Sequence, residues 1–404
     1  MKKRPLIPHE TALSLVLKNV SMVGAETVGL LNAAGRVLRK NVKADRSLPP
    51  FNRSAMDGYA VKSSDFKNGR ANLVCFGVLK AGNEWKGKVT TGMCVKIMTG
   101  APVPSGADAV VMVEKSGVSG EMVHLNDPGV KPWSNIHKKG ADTDKGAALI
   151  KPGTLLAPGH MAVAASVGAA KLSVSRVIKV AVVASGTELI SVSRKPKPSQ
   201  IRDSNSPFLI SRLKGISWVK GTFMGIVRDE PRRFKAILKK AIRENDVVLI
   251  TGGVSMGDAD YTPIVLEELK VKNVFHKASI KPGKPIWFGV TGKKAVFGLP
   301  GNPVSVAVTF SEFVKPAFKR MAGISDPAPR KLILPLSEGI RKKHDRKEFR
   351  IAAFTNGGGS VAAIKHQGSG DFVSASKSDG VIVIPSDRAE IKAGETVEFH
   401  PWEL

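Results

Sequence analysis

Three uninterrupted apolar runs, at 180–184, 247–250 and 295–297, limit the fold more than any other feature. Each leads directly into a glycine-containing polar loop: Ser185-Gly186-Thr187-Glu188, Thr251-Gly252-Gly253, and Gly298-Leu299-Pro300-Gly301-Asn302-Pro303. A strand with one wet face alternates apolar and polar residues. A continuous run belongs to a strand buried on both faces, as in a parallel sheet covered by helices. Helical patterns lie between the runs. Across 231–242, Phe234, Ile237, Leu238, Ala241 and Ile242 share one face, and Lys and Arg take the other. Pro231 behind Asp229-Glu230 fits a first helical turn. Residues 304–321 form a second pattern ending near Gly323. Residues 177–326 are therefore expected to fold as a three-layer α/β domain.

The rest of the chain has a different texture. Leu13, Val16, Leu17 and Val20 predict a helix over 7–20. From about 40 to 135, short β-like runs such as 73–76, 95–98 and 109–113 are broken by Gly and Pro, which predicts a small β-rich module. An Ala-rich stretch at 161–170 predicts another helix. Asp326-Pro327-Ala328-Pro329 is a linker signal, and the short strands beyond it (332–334, 361–364, 381–384, 397–399) predict a small β-barrel or sandwich. The fold class is thus α/β multidomain: a three-layer αβα domain, a β-rich module and a C-terminal β-barrel. With 404 residues, 42% apolar and 24% charged, the chain can bury a sizeable core, which argues against disorder. No apolar run approaches the ~18 residues of a membrane span. The basic start Met1-Lys2-Lys3-Arg4-Pro5 has no apolar stretch behind it, so no signal peptide is expected. Cys75 and Cys94 lack the spacing of a zinc knuckle or redox dithiol and are expected as free thiols in a reducing cytoplasm.

Lys and Arg number 62 against 34 Asp and Glu, a net charge of +28. Residues from 327 onward contribute only +2, so 1–326 carry the remaining +26. Such a balance favours anionic partners. Nucleic acid is not expected, because aromatic platforms and recognition motifs are lacking.

Ligands of open α/β sheets bind at the carboxyl ends of parallel strands. Three strand ends therefore nominate one crevice, with Glu188 after the first, Ser255, Asp258 and Asp260 after the second, and Gly301, Asn302 and Ser305 after the third. Gly252-Gly253-Val254-Ser255-Met256-Gly257 offers backbone N–H groups to an anion but matches neither the Walker A nor the Rossmann pattern. In Lys281-Pro282-Gly283-Lys284-Pro285 two prolines and a glycine hold two ammonium groups close together, a cradle for an oxyanion, and Lys277 lies four residues upstream. Ser54-Ala55-Met56-Asp57-Gly58-Tyr59-Ala60 and Thr99-Gly100-Ala101-Pro102-Val103-Pro104 are compatible with a site or with plain turns. Asp142, Asp144, Asp229, Asp258 and Asp260 supply hard oxygen donors of the kind that hold Mg²⁺ beside phosphate, although any one of them also suits a helix cap or a surface charge.

Together with Gly106-Ala107-Asp108-Ala109-Val110-Val111, the segment 135–142 and His366-Gln367-Gly368-Ser369, these segments resemble the molybdopterin molybdenumtransferase family, the MoeA-type proteins that include the gephyrin E domain. The resemblance implies the last step of molybdenum cofactor synthesis. Adenylylated molybdopterin and molybdate give the cofactor and AMP, with Mg²⁺ required. It also implies a homodimer of four-domain subunits, here 1–40 with 137–176 (linking and dimerisation), 41–136 (β-rich), 177–326 (molybdopterin-binding, similar to the molybdopterin adenylyltransferase fold) and 327–404 (C-terminal barrel). Asp57, Thr99, Asp142, Glu188, Asp229, Asp260, Lys277 and Lys281 match the family's catalytic positions. Gly252, Gly253, Ser255, Lys284, Pro300, Gly301, Asn302, Pro303, Ser305, Arg350 and Ser369 match substrate-binding positions, with Arg346 a weaker candidate. Glu188, Asp229 and Asp260 are the expected Mg²⁺ ligands. Asp57 and Thr99 would serve the partner subunit, and a molybdopterin adenylyltransferase is an implied partner. Competing readings are adenylyl transfer to molybdopterin and a non-catalytic scaffold.

Overall fold

The three apolar runs become three adjacent parallel strands. In the computed structural model, which describes residues 6–227, 230–253 and 262–402, they lie at the centre of a six-stranded sheet. Its order is Val219–Val227, Ile178–Ser185, Val247–Thr251, Lys294–Leu299, Trp287–Thr291, Lys272–His276. The first four are parallel, and the last two add an antiparallel edge. The register places Val182 beside Leu249 and Leu249 beside Phe297.

Both faces of this sheet are covered. Val180, Val182, Leu249 and Phe297 point into a core that includes Leu209 and Leu213 of the helix Asn205–Lys214. Ala181, Val183, Val248, Ile250 and Val296 point the other way, onto Phe234, Leu238 and Ala241 of Pro231–Glu244 and Val265 and Leu266 of Thr262–Glu268. Each such side chain contributes about 1.5–3 kcal/mol by leaving water, so continuous apolar runs are what this geometry demands. The helix predicted at 304–321 is Pro303–Thr309, a π-turn at Phe310–Val314, and Lys315–Ala322, closed by Gly323 at φ +83°. The π-turn places Glu312 in the interior, where it is fully buried.

By compactness the chain divides into two units. One comprises Met1–Lys40, Pro152–Ala157 and Lys171–Leu404 and contains this sheet. Its second six-stranded sheet runs Ile280–Lys281, Lys347–Thr355, Gly380–Ile384, Thr396–Pro401, Leu332–Pro335, with Ser360–Ala363 also on Lys347–Thr355. An isolated bridge pairs Leu336, just beyond Leu332–Pro335, with Val361 of Ser360–Ala363. One face of these strands (Ala352, Val361, Ile382, Val397, Phe399) makes a small core of its own. The other (Phe349, Ile351, Val381, Val383) joins the α/β core.

The other unit, Asn41–Lys151 with Pro158–Ala170, holds a six-stranded sheet in the order Ala109–Met112, Gly58–Val61, Met93–Ile97, Arg70–Leu79, Met122–Asn126, Ser116–Ser119. Residues 137–151 and 158–170, expected with the N-terminal segment, group here instead. Ile136–His137 pairs with Arg53–Ser54, and Ala148–Ile150 with Val42–Lys43. The Ala-rich helix is Pro158–Ser166. Cys75 and Cys94 are free thiols and Cα partners on neighbouring strands, and burial pushes the Cys94 thiol up to about 12. Among the described residues, no helix is long and apolar enough to cross a membrane.

Candidate functional site

Ile280–Lys281 pairs parallel with Lys347 and Glu348, and Arg346 Nη1 donates to the Ile280 carbonyl at 3.0 Å. The segment after it must turn at once. Gly283 sits at φ +105°, and a Cβ there would come within 2.7 Å of Thr309 Cγ2 and 3.0 Å of Ile280 Cδ1. Only glycine fits that turn. Backbone hydrogen bonds from Ala278 to Lys284 and from Ile286 to Gly283 close the loop. Lys277, just upstream, is held at φ +77°, a left-handed conformation uncommon for lysine.

This loop forms one wall of a cavity of about 890 Å³. Eight of the residues named from sequence line it: Lys281, Lys284, Pro300, Gly301, Asn302, Ser305, Arg350 and Ser369. The loop at the end of Lys294–Leu299 is tied across the cavity, since Asn302 Nδ2 donates to Ser369 Oγ at 2.7 Å and Val304 N to the Ser369 carbonyl at 3.1 Å. Arg346 also lines it, its guanidinium engaged by Ile280. Six Lys and Arg side chains stand on the wall against two glutamates, Glu338 and Glu348. Arg350 is paired with Glu348, and Arg341 with Glu390 at 3.0 Å. Lys281, Lys284 and Lys365 have no carboxylate within ion-pair distance among the described residues. The wall therefore carries an excess of positive charge, an arrangement suited to an anion.

The two other strand ends adjoin the third. A Cβ on Gly301 would lie 4.0 Å from Gly252 Cα, and one on Gly252 (φ +79°) would strike the Ser185 carbonyl at 2.2 Å. Gly252 therefore fits as a glycine where backbone meets backbone, and a Cβ on Gly253 (φ +63°) would meet the Thr262 hydroxyl at 2.8 Å. Glu188 stands exposed beyond Ser185 and is not on the cavity wall. Pro303 starts the helix behind the wall, and Lys277 is also outside it. Asp229, Ser255 and Asp260 lie outside the described residues. In the other unit, Asp57 and Thr99 are brought together. Thr99 donates to Asp57 Oδ1 from its backbone N at 2.6 Å and its hydroxyl at 2.7 Å, and these bonds hold the Asp57 carboxyl below the usual carboxylate range. Asp142 is exposed, its backbone N bonded to the Leu48 carbonyl.

Three family models cover most of the chain: "MoeA N-terminal region (domain I and II)" over 7–168, "Probable molybdopterin binding domain" over 181–320, and "MoeA C-terminal region (domain IV)" over 334–402. A protein of Staphylococcus aureus named molybdopterin molybdenumtransferase is 32% identical over 99% of this chain and 96% of its own length. One of Haemophilus influenzae with the same name is 34% identical over 93% and 94%. The crystal structure of the molybdopterin biosynthesis MoeA protein of Pyrococcus horikoshii superposes with a TM-score of 0.86 at 33% identity, over 98% of this chain and all of that one. The chain belongs to the MoeA family.

In this MoeA-family chain the cavity wall also carries residues not singled out from sequence: Glu338, Arg341, Glu348 and Lys365. A signal for Glu348 was present. Alternate residues of a strand share a face, so Glu348 and Arg350 belong together once 347–355 is recognised as extended. Nothing local marks Lys365. Among the described residues no three His, Cys, Asp or Glu side chains gather as metal ligands. The Glu188 carboxylate has no ion-pair partner among them, and a carboxylate oxygen is the hard donor type that Mg²⁺ accepts.

Proposed function

We propose that this MoeA-family enzyme is a molybdopterin molybdenumtransferase, a transferase that inserts molybdate into adenylylated molybdopterin and releases AMP in molybdenum cofactor synthesis. The observation that carries this reading is the pair of uncompensated lysines, Lys281 and Lys284, on the wall that also holds Arg350, Ser305 and Ser369. Molybdate is a dianion, and the nucleotide substrate adds a pyrophosphate and a terminal phosphate. Lys281, Lys284 and Arg350 offset the charge of molybdate, and Ser305 and Ser369 contribute hydroxyl contacts. The backbone at Gly252 and Gly253 supports the phosphate side, and Ser255 is assigned to substrate binding with it. Positive charge preorganised near the breaking phosphoanhydride is the main catalytic contribution. Glu188, with Asp229 and Asp260, would hold Mg²⁺, which when bound supplies Lewis-acid polarisation of the pyrophosphate. Asp57, Thr99, Asp142 and Lys277 complete the catalytic set. The enzyme works in the cytoplasm as a homodimer and takes its substrate from a molybdopterin adenylyltransferase.

Reconstitution with adenylylated molybdopterin, molybdate and Mg²⁺ tests this, following AMP and active cofactor. AMP release that needs molybdate supports the proposal. Its absence, or adenylylation of molybdopterin by ATP instead, overturns it.

A further inference from the structure

Glu348 is out of place on simple electrostatics. A carboxylate on the wall of an oxyanion cavity repels the ligand, yet this one lines the cavity and is only 5% exposed. Its two oxygens have distinct neighbours. Oε1 accepts from Arg350 Nε at 2.9 Å and from Arg350 Nη2 at 2.8 Å. Oε2 lies 2.9 Å from His344 Nε2. Arg350 Nη2 also donates to the Arg341 carbonyl at 3.1 Å, while Nη1 makes no hydrogen bond to a described residue. Across the parallel pairing, the Cα partner of Glu348 is Lys281. Even so, the lysine and the carboxylate are not within ion-pair distance, and Lys281 keeps its charge uncompensated among the described residues.

We propose that Glu348 is a positioning residue for oxyanion binding. It fixes the Arg350 guanidinium by one edge, leaving Nη1 for the anion. With Oε1 engaged by Arg350 and the carboxylate beyond ion-pair distance of the ammonium group, Glu348 does not neutralise its strand neighbour Lys281. This rests on the reading of the cavity as the molybdate site.

The sign of one measurement separates positioning from simple repulsion. If Glu348 only adds negative charge to the wall, Glu348→Gln lowers the KM for molybdate. If it positions Arg350, the same change weakens a charge-assisted hydrogen bond and raises that KM about tenfold, with kcat within about twofold. In an Arg350→Ala background Glu348→Gln no longer raises the KM and instead lowers it, because only the repulsion is left to remove. Glu348→Asp keeps the charge but withdraws it by one methylene and raises the KM as well. It decides the matter should Glu348→Gln fail to fold, as judged by thermal unfolding. A molybdate KM that is unchanged or lowered in the folded variants overturns the proposal. Lys281→Ala, assayed in the same series, separates the two levels. If it raises the molybdate KM while the Glu348 variants do not, only the positioning role is lost. If it too leaves molybdate dependence unchanged, the cavity is not the oxyanion site and both readings fall.

Discussion

Around Glu312 and around Lys281 the chain gathers similar ionisable groups and treats them in opposite ways. Glu312 is fully buried, with His400 Nδ1 at 2.8 Å and His9 Nε2 at 3.2 Å. His400 passes its other nitrogen to Glu398 at 2.7 Å, and Glu398 is also 3.2 Å from Lys331. Each charge there faces an opposite one, so the cluster ties the helix His9–Asn19, the π-turn and the strand Thr396–Pro401 together and has no need of a ligand. On the cavity wall Lys281, Lys284 and Lys365 have no such counter-charges among the described residues. These three lysines are exposed, so water solvates them in place of an internal partner, and an anion entering the cavity can pair with them. The contrast separates charges that are paired within the fold from charges left open on the cavity wall.

The largest expected effect tests the first half of that contrast. Glu312→Ala leaves two imidazoles facing an empty site and is expected to cost about 3–5 kcal/mol of folding stability, the usual penalty for breaking one side of a buried pair. Chemical denaturation measures it. A loss below about 1 kcal/mol would mean that the cluster is not holding these elements together.

The pH dependence comes next. Burial alone would push the His400 imidazole down, but its hydrogen bonds to the Glu312 and Glu398 carboxylates raise it to about 9. For Glu312 burial pushes up, and the bonds from His400 and His9 outweigh it, bringing the carboxyl down to about 2. A histidine raised on folding lends stability that is complete below its unfolded value near 6.5 and is lost as pH rises through the folded value. Stability is therefore expected to fall by up to about 3 kcal/mol between pH 6.5 and somewhat above 9. On the acid side, the Glu312 contribution is lost below about pH 4 and gone near 2. In a His400→Asn variant the alkaline loss should flatten. An unchanged alkaline slope would show that this imidazole is not charged in the fold.

The Lys281 side of the comparison is read in activity. Lys281→Ala is expected to raise the molybdate requirement about a hundredfold, equivalent to about 2.7 kcal/mol, the scale of losing one preorganised donor. Its unfolding midpoint should stay near that of the unaltered chain, because no internal partner is left stranded. An unfolding loss as large as that of Glu312→Ala would instead place Lys281 among the charges that hold the fold.

What could be seen in sequence follows the same division. The central strands were legible because burial on both faces excludes polar residues from 180–184, 247–250 and 295–297. The edge strand Val219–Val227 was not, since it is half wet and carries Gly221 and Gly225. Lys347–Thr355 was missed for a reason tied to the site. Glu348 and Arg350 line the cavity beside Phe349 and Ile351, which also pack into the core, so charges interrupt the apolar pattern and the stretch has the texture of a surface segment. The Lys281 loop announced itself through its two prolines and glycine. Glu348 is legible only once 347–355 is recognised as a strand, because its backbone partner Lys281 lies far away in sequence. Nothing in the sequence marks Glu312, which lies in the π-turn and is fully buried.

The smallest effect concerns a third kind of charge, neither paired in the interior nor waiting at the cavity. Lys235 Nζ lies 2.8 Å from Glu268 Oε2, joining Pro231–Glu244 to Thr262–Glu268, but the two side chains are 46% and 50% exposed. Water screens such a pair, and ordering two long side chains offsets much of what remains, so exposed pairs contribute roughly 0–1 kcal/mol. Lys235→Ala should therefore shift folding stability by no more than about 0.5 kcal/mol. Its effect on molybdate dependence is the sharper measure. The net charge of +28 could in principle draw an anion by its overall field alone. At physiological salt, however, exposed charges are largely screened beyond about 8 Å, so Lys235 should leave the molybdate KM unaltered while Lys281 moves it strongly. Equal shifts from the two lysines would mean that the protein attracts its anion through bulk charge, and the bent Lys281 loop would have no special claim as its cradle.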